Sequence, residues 1–304
     1  MTKLQGLGTA LITPFTEDEN VDYEALGRMI EMQVAAHVDY LVVLGTTGEA
    51  ATLTDEEHAT VRRFIVRQVA GRLPLVLGVG GNCTRDVIHR LHAWHDELLH
   101  DYTAILSVCP YYNKPNQEGI YQHFIAVAEA SPIPVILYNV PGRTGVNMLP
   151  ETVMRVWETY PDKVYGIKEA SGDIEQIKRL INLTRNPSLH LSLFAGANVQ
   201  PLQVISGDDG LAVDVMQAGG AGLISVLSNI YPADTGQMVR HKDKTMQTDM
   251  QHLISLLFQE GNPVGIKAAL NIKGLIHNTL RLPLVPASDN LMQSLNAQLK
   301  NTHA

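Results

Sequence analysis

The chain is poor in cysteine, has no excess of positive charge and contains no long apolar run, and each shortage removes a class of protein. Two of its 304 residues are cysteine, Cys83 and Cys109. Two thiols cannot build a disulfide framework, and neither belongs to a CxxC pair. They suit a reducing compartment and indicate neither thiol redox chemistry nor zinc. Lys and Arg number 23 against 31 Asp and Glu, for a formal charge of −8. Phosphate backbones recruit basic surfaces, so nucleic acid is not an expected partner. No apolar stretch approaches the roughly 18 to 20 residues of a membrane span. The opening residues, MTKLQG, carry no signal-peptide apolar core. The expectation is a cytoplasmic protein with no membrane partner. Low-complexity segments are also missing. With 45% hydrophobic and 18% charged residues, the composition is that of a folded chain with a sizeable core.

What is present is a rhythm. Short apolar runs occupy residues 8–15 (GTALITPF), 40–45 (YLVVLG), 74–81 (PLVLGVGG), 104–110 (AILSVCP), 134–141 (PVILYNVP), 164–171 (VYGIKEAS) and 222–228 (GLISVLS). Residues 189–207 hold two further candidates, LHLSLFAG and PLQVISG; the second is favoured because SGDD follows it. These runs are rich in Val, Ile and Leu without polar alternation, as strands buried on both faces are, and so predict a parallel sheet. The stretches between them read as helices. Asp22 is placed to cap 23–36, Thr54 to cap 55–69 with Glu57 completing a capping box, and Thr84 to cap 85–95. Helices at 118–130, 151–159 and 174–183 follow. About eight βα units in 228 residues, at about 28 residues each, predict a (β/α)8 TIM barrel over 1–230. Residues 231–304 read as a C-terminal helical extension, with breaks near 261–263 and 283–286. An open doubly wound sheet is the competing fold, but it calls for a glycine-rich first βα turn, and Thr13-Pro14-Phe15 stands there.

In a βα barrel the chemistry sits at the C-terminal ends of the strands. Lys168 lies inside an apolar strand there, where lysine is rarely buried without a partner or a purpose. Either it pairs with a carboxylate such as Glu169, or it is a desolvated amine. Burial disfavours the charged form of an amine, and a neutral amine can attack a keto carbon and form a Schiff base. Strand alternation turns Glu169 away from Lys168. Tyr138, on the neighbouring strand, is either a core phenol or a proton relay. The turn Gly45-Thr46-Thr47-Gly48 offers hydroxyls and backbone N–H groups that suit a carboxylate, though an ordinary βα loop has the same composition. Arg143, after a Pro-Gly turn, is either a surface ion-pair partner or a bidentate clamp for a second carboxylate. His89, His92, His95 and His100 are spaced as a solvated helix face, with no second ligand cluster to make a metal site.

The motifs GTTGEAATL (45–53), CPYYNKPNQEG (109–119), YNVPGRTG (138–145), GIKEASG (166–172), SGDD (206–209), GLISVLSN (222–229) and NPVGIKAAL (262–270) together resemble the dihydrodipicolinate synthase family. That family belongs to the pyruvate-dependent class I aldolases, which include N-acetylneuraminate lyase. The resemblance implies condensation of pyruvate with L-aspartate 4-semialdehyde, through a covalent pyruvate imine on Lys168 and without metal or organic cofactor, on the route to diaminopimelate and lysine. It implies that Tyr138 relays protons, with Thr46 between it and a third hydroxyl, and that Tyr112 enters the site of a neighbouring subunit. Thr47 joins Thr46 in holding the pyruvate carboxylate. Arg143 holds the carboxylate of the aldehyde, and Gly207 and Ile224 line the site through backbone groups. The implied assembly is a homotetramer, a dimer of dimers.

Two features depart from the family pattern. From Lys168 to Gly207 the interval is 39 residues, longer than the pattern, so residues 185–205 hold an extra piece. The second concerns inhibition by lysine at a dimer interface. The matching positions include Asn82, Asp86, Tyr111 and His58, but Ala50 and Asp55 replace a more polar set, and Asp86 stands where glutamate is common. Weak or absent lysine inhibition is the expectation. The rival readings are another pyruvate aldolase, such as N-acetylneuraminate lyase or a keto-deoxy-sugar aldolase, and a non-catalytic keto-acid-binding homologue. Arg143 and Tyr112 favour the synthase over a sugar lyase; the presence of both Lys168 and Tyr138 speaks against a non-catalytic homologue.

Overall fold

The computed structural model describes residues 4–185 and 200–301. Eight parallel strands, β1 (Gly6–Ala10), β2 (Tyr40–Val43), β3 (Leu75–Gly78), β4 (Ala104–Val108), β5 (Val135–Asn139), β6 (Val164–Glu169), β7 (Gln203–Ser206) and β8 (Gly222–Ser225), close in sequence order into a barrel. The fold is the expected (β/α)8 barrel. Of the two candidates for the seventh strand, PLQVISG contains β7; LHLSLFAG lies outside the described residues. The first strand ends at Ala10 rather than running to Phe15, which instead makes an isolated antiparallel bridge with Val21. Two compact units make up the chain. One combines Met1–Gln5 with Leu75–Leu223, the other Gly6–Pro74 with Ile224–Ala304.

Among the described residues of the first unit the α-helices are α3 (Thr84–Ala93), α4 (His95–Asp101), α5 (Gln117–Ala130), α6 (Pro141–Thr144), α7 (Pro150–Thr159), α8 (Ile174–Arg185) and α9 (Ala212–Ala218). The outer helices pack in sequence, α3 on α5, α5 on α7 and α7 on α8. Every residue of β5 is buried, the burial on both faces that a parallel barrel strand requires. Trp157 of α7 is wholly buried. A β-bulge interrupts the β5–β6 register: Val135 pairs with Val164, but Ile136 pairs with Gly166. The extra residue, Tyr165, accepts a hydrogen bond at its hydroxyl from the Leu4 backbone N–H (2.8 Å). A one-residue shift re-phases a strand. Beyond the bulge Tyr138 pairs with Lys168 and Asn139 with Glu169. The histidine-rich stretch is two helices, broken at Trp94, rather than one. Cys83, not Thr84, occupies the cap of α3, because the Thr84 hydroxyl turns to His123 Nδ1 (2.9 Å).

In the second unit α1 (Tyr23–Ala35) is capped by Asp22, whose carboxylate accepts from the Ala25 N–H (2.9 Å). The predicted capping box of α2 (Asp55–Val69) forms at both ends: Glu57 N–H donates to Thr54 Oγ1 and Thr54 N–H to Glu57 Oε2. Such caps contribute about 1 kcal/mol each. The C-terminal segment is helical, with α10 (Pro232–His241), α11 (Lys244–Phe258), α12 (Val264–Ile272) and α13 (Asp289–Asn301). The breaks at 259–263 and 273–288 include the two expected places, the second running well beyond 283–286, and a further break at 242–243 separates α10 from α11. Helices α11, α12 and α13 pack on one another, and α10 lies against β1.

Candidate active site

The first unit brings Lys168, Tyr138 and Gly207 together. Lys168 is 6% exposed and Tyr138 5%, so both side chains are withdrawn from bulk water. Being register partners beyond the bulge, they point to the same side, and Lys168 Nζ lies 4.3 Å from the centre of the Tyr138 ring. Lys168 makes no ion pair or hydrogen bond among the described residues. Pairing with Glu169 is ruled out by alternation. The Glu169 carboxylate accepts instead from Asn139 Nδ2 (3.0 and 3.2 Å), from the Ser171 N–H (2.8 Å) and from Gln176 Nε2 (3.4 Å). Burial pushes the Glu169 carboxyl above its ordinary range, against these hydrogen bonds. Gly207 follows β7, where a Cβ would come within 2.9 Å of Lys168 Cε. Only glycine leaves the lysine stem its room.

The same unit carries the other strand-end residues. Arg143 is exposed on α6, directly after β5. Tyr112, in the loop after β4, is 87% exposed and holds a left-handed backbone (φ +74°). Its ring is not buried against the Lys168–Tyr138 pair. Tyr111, 42% exposed, lies on the same loop. Asn113 Nδ2 donates to the Asn82 carbonyl (2.8 Å), tying that loop to the end of β3. Asp86 is exposed on α3. Cys109 is buried; its thiol is pushed up to about 12, first by burial and then by Glu169, which leaves it inert as a nucleophile. Among the described residues no group of three His, Cys, Asp or Glu is arranged to hold a metal ion, and no helix is long and apolar enough to cross a membrane.

The second unit carries Thr46, Thr47, Ile224 and His58. Thr46–Gly48 form a 3-10 turn directly after β2, closed by Glu49 with a left-handed backbone (φ +50°). Thr46 is half-buried and Thr47 buried. Ile224 is buried in β8, and His58 is half-buried in the first turns of α2. Three residues not singled out from the sequence hold this turn. Asn262 Nδ2 donates to Thr47 Oγ1 (2.9 Å). Glu49 forms an ion pair with Lys267 of α12, both side chains shut off from solvent. Lys267 Nζ also donates to the Thr279 carbonyl (3.1 Å) and lies 4.0 Å from the centre of the Phe15 ring. Burial pulls Lys267 down to about 8, with Glu49 opposing it. Both Asn262 and Lys267 fall in the NPVGIKAAL motif, and a lysine inside an apolar segment is the signal that identified Lys168.

The fold and site define a (β/α)8-barrel protein with a lysine buried on its sixth strand beside a tyrosine of the fifth. The family model for the dihydrodipicolinate synthetase family matches residues 3–302. A 4-hydroxy-tetrahydrodipicolinate synthase of Parabacteroides distasonis is 49% identical over 290 residues, 93% of this chain and 92% of its own. The synthase of Phocaeicola vulgatus is 45% identical over 98% of this chain and 97% of its own. Among solved structures, the Thermotoga maritima dihydrodipicolinate synthase superposes with a TM-score of 0.89 at 37% identity, covering 98% of each chain. A monomeric dihydrodipicolinate synthase variant gives 0.89 at 38%, covering 98% of this chain and 97% of its own. This chain belongs to the dihydrodipicolinate synthetase family.

Proposed function

We propose that this enzyme condenses pyruvate with L-aspartate 4-semialdehyde to 4-hydroxy-tetrahydrodipicolinate, the reaction for which its relatives are named. The observation that carries the reading is Lys168: buried, without an ion pair among the described residues, and 4.3 Å from the ring centre of Tyr138. Its amine attacks the keto carbon of pyruvate and, with loss of water, forms an imine. Loss of a methyl proton gives the enamine. The enamine carbon attacks the aldehyde, whose oxygen takes up a proton. The amine of the new chain then adds to the imine carbon, closing the ring and expelling Lys168 with its proton. Tyr138 moves the protons, with Thr46 and a partner subunit's copy of Tyr112. Thr47 and Thr46 hold the pyruvate carboxylate, Arg143 that of the aldehyde, and Gly207 and Ile224 shape the site through backbone groups. The imine is the electron sink, so the reaction needs no metal or organic cofactor. The enzyme works in the cytoplasm on the route to diaminopimelate and lysine, as a homotetramer. Asn82, Asp86, Tyr111 and His58 occupy the regulatory positions. With Ala50 and Asp55 in place of a more polar set, L-lysine inhibits weakly or not at all; complete inhibition at sub-millimolar lysine would overturn that.

Product formation is followed by coupling to dipicolinate reductase and measuring loss of reduced nicotinamide. Robust turnover, unaffected by a chelator, is expected, and Lys168→Arg should abolish it along with borohydride trapping of pyruvate. Full activity in Lys168→Arg would sink the mechanism. Trapping without turnover would keep the imine and move the search to other aldehydes.

A further inference from the structure

The Thr47 hydroxyl has one proton to give and lone pairs with which to accept. Which it offers a ligand depends on what its other neighbour demands. Here that neighbour is Asn262, buried in the segment between α11 and α12, whose amide N–H donates to Thr47 Oγ1 at 2.9 Å. The accepted bond occupies a lone pair and leaves the O–H to point elsewhere as a donor, which is what a carboxylate needs. An acceptor at residue 262 would reverse this, drawing the proton away and presenting lone pairs to an anion. Five residues beyond Asn262, Lys267 reaches the same turn at a second point through its solvent-free ion pair with Glu49. Glu49 is the left-handed residue that closes the turn. One segment of the chain thus grips Thr47 by its hydroxyl and Glu49 by its carboxylate.

We propose that Asn262 is a positioning residue for pyruvate: it sets the Thr47 hydroxyl as a donor to the substrate carboxylate, on a turn fixed by the Glu49–Lys267 pair. The inference rests on the reading of Thr46 and Thr47 as the carboxylate turn. It is tested on the full-length enzyme by measuring kcat and KM for both substrates, with the pyruvate concentration that gives half-maximal borohydride trapping. The variants are Thr47→Val, Asn262→Ala, Asn262→Asp and the double variant Thr47→Val/Asn262→Ala. Loss of one aimed hydrogen bond predicts a rise of about tenfold in the pyruvate KM for Asn262→Ala. Asn262→Asp keeps the shape and reverses the bond, so it should raise the pyruvate KM at least as far. Neither should raise the KM for the aldehyde comparably. The double variant should bind pyruvate no worse than Thr47→Val alone, since both remove one bond. If Asn262→Ala fails to fold, the isosteric Asn262→Asp decides. Pyruvate KM values within twofold of wild type in the Asn262 variants, while Thr47→Val raises it, would overturn the inference and leave the turn reading intact. An unchanged KM in Thr47→Val would overturn both.

Discussion

At the scale of single residues, burial decides what a side chain can do, and His123 is the sharpest case outside the site. It lies buried on α5, with Nδ1 against the Thr84 hydroxyl and Nε2 without a hydrogen-bond partner among the described residues. Burial pulls it down to about 4. An unfolded histidine takes its proton near 6.5. Between those values the unfolded chain binds more protons than the folded one, so stability falls as pH falls from 6.5 toward 4 and levels below it. The integrated loss is about 3 kcal/mol. His123→Leu should remove that part of the pH dependence, read as the shift in urea midpoint between pH 7 and pH 4.5; equal shifts in the two proteins would refute it. Residue chemistry was legible in the sequence where a polar group interrupts an apolar run: Lys168 stands out in VYGIKEAS for that reason. Lys267 in VGIKAAL carries the same signal. Asn262 carries none, because its partner Thr47 is 215 positions away and only the fold joins them.

At the scale of elements, local rules held where the partner was local. The Asp22 cap and the Thr54–Glu57 box are bonds across three residues. The Thr84 cap failed because a distant histidine claimed its hydroxyl, and the bulge at Tyr165 leaves no mark in an unbroken apolar run. A side-chain tie between β5 and β6 was invisible because its partners are 30 positions apart. Asn139 Nδ2 bonds Glu169 and also Asn147 Oδ1 (2.7 Å), and Asn147 Nδ2 bonds Gln176 Oε1 (2.7 Å). Asn139 Oδ1 accepts from the Met148 N–H (2.9 Å). The network joins the two strands one residue beyond Tyr138 and Lys168, and fastens the segment after Arg143 to α8. Glu169→Ala would strand an amide proton of Asn139 and the Ser171 N–H, a loss of about 3 kcal/mol and several degrees in Tm. Glu169→Gln keeps one acceptor oxygen, enough for the Ser171 N–H and Asn139, and turns an amide toward a donor on the other side, so it should lose less than Glu169→Ala. Thermal unfolding of both separates the cases; an unchanged Tm in Glu169→Ala would show the network to be idle.

At the scale of the whole molecule, Tyr112 is a candidate site residue that stands exposed in the single chain. Its ring is 87% exposed and its backbone sits at φ +74°, a conformation that costs a side-chain-bearing residue about 1 to 3 kcal/mol. An aromatic presented outward at that cost suits a group that completes a second subunit's site. Likeness to the family does not decide the assembly, since a monomeric variant is among the solved relatives. Complementation does. On the proposed mechanism Lys168→Ala cannot form the imine and Tyr112→Phe lacks the phenol hydroxyl, so each variant by itself should turn over slowly or not at all. In a mixed oligomer from co-expression, a site with an intact Lys168 on one subunit would receive an intact Tyr112 from its Lys168→Ala partner. Activity should then rise well above the sum of the two parents, following the fraction of mixed pairs. If Tyr112 serves its own subunit, every site in the mixture lacks either the amine or the phenol, and no gain appears. Mixed oligomers of proven composition that are no more active than their parents would therefore rule out action in trans.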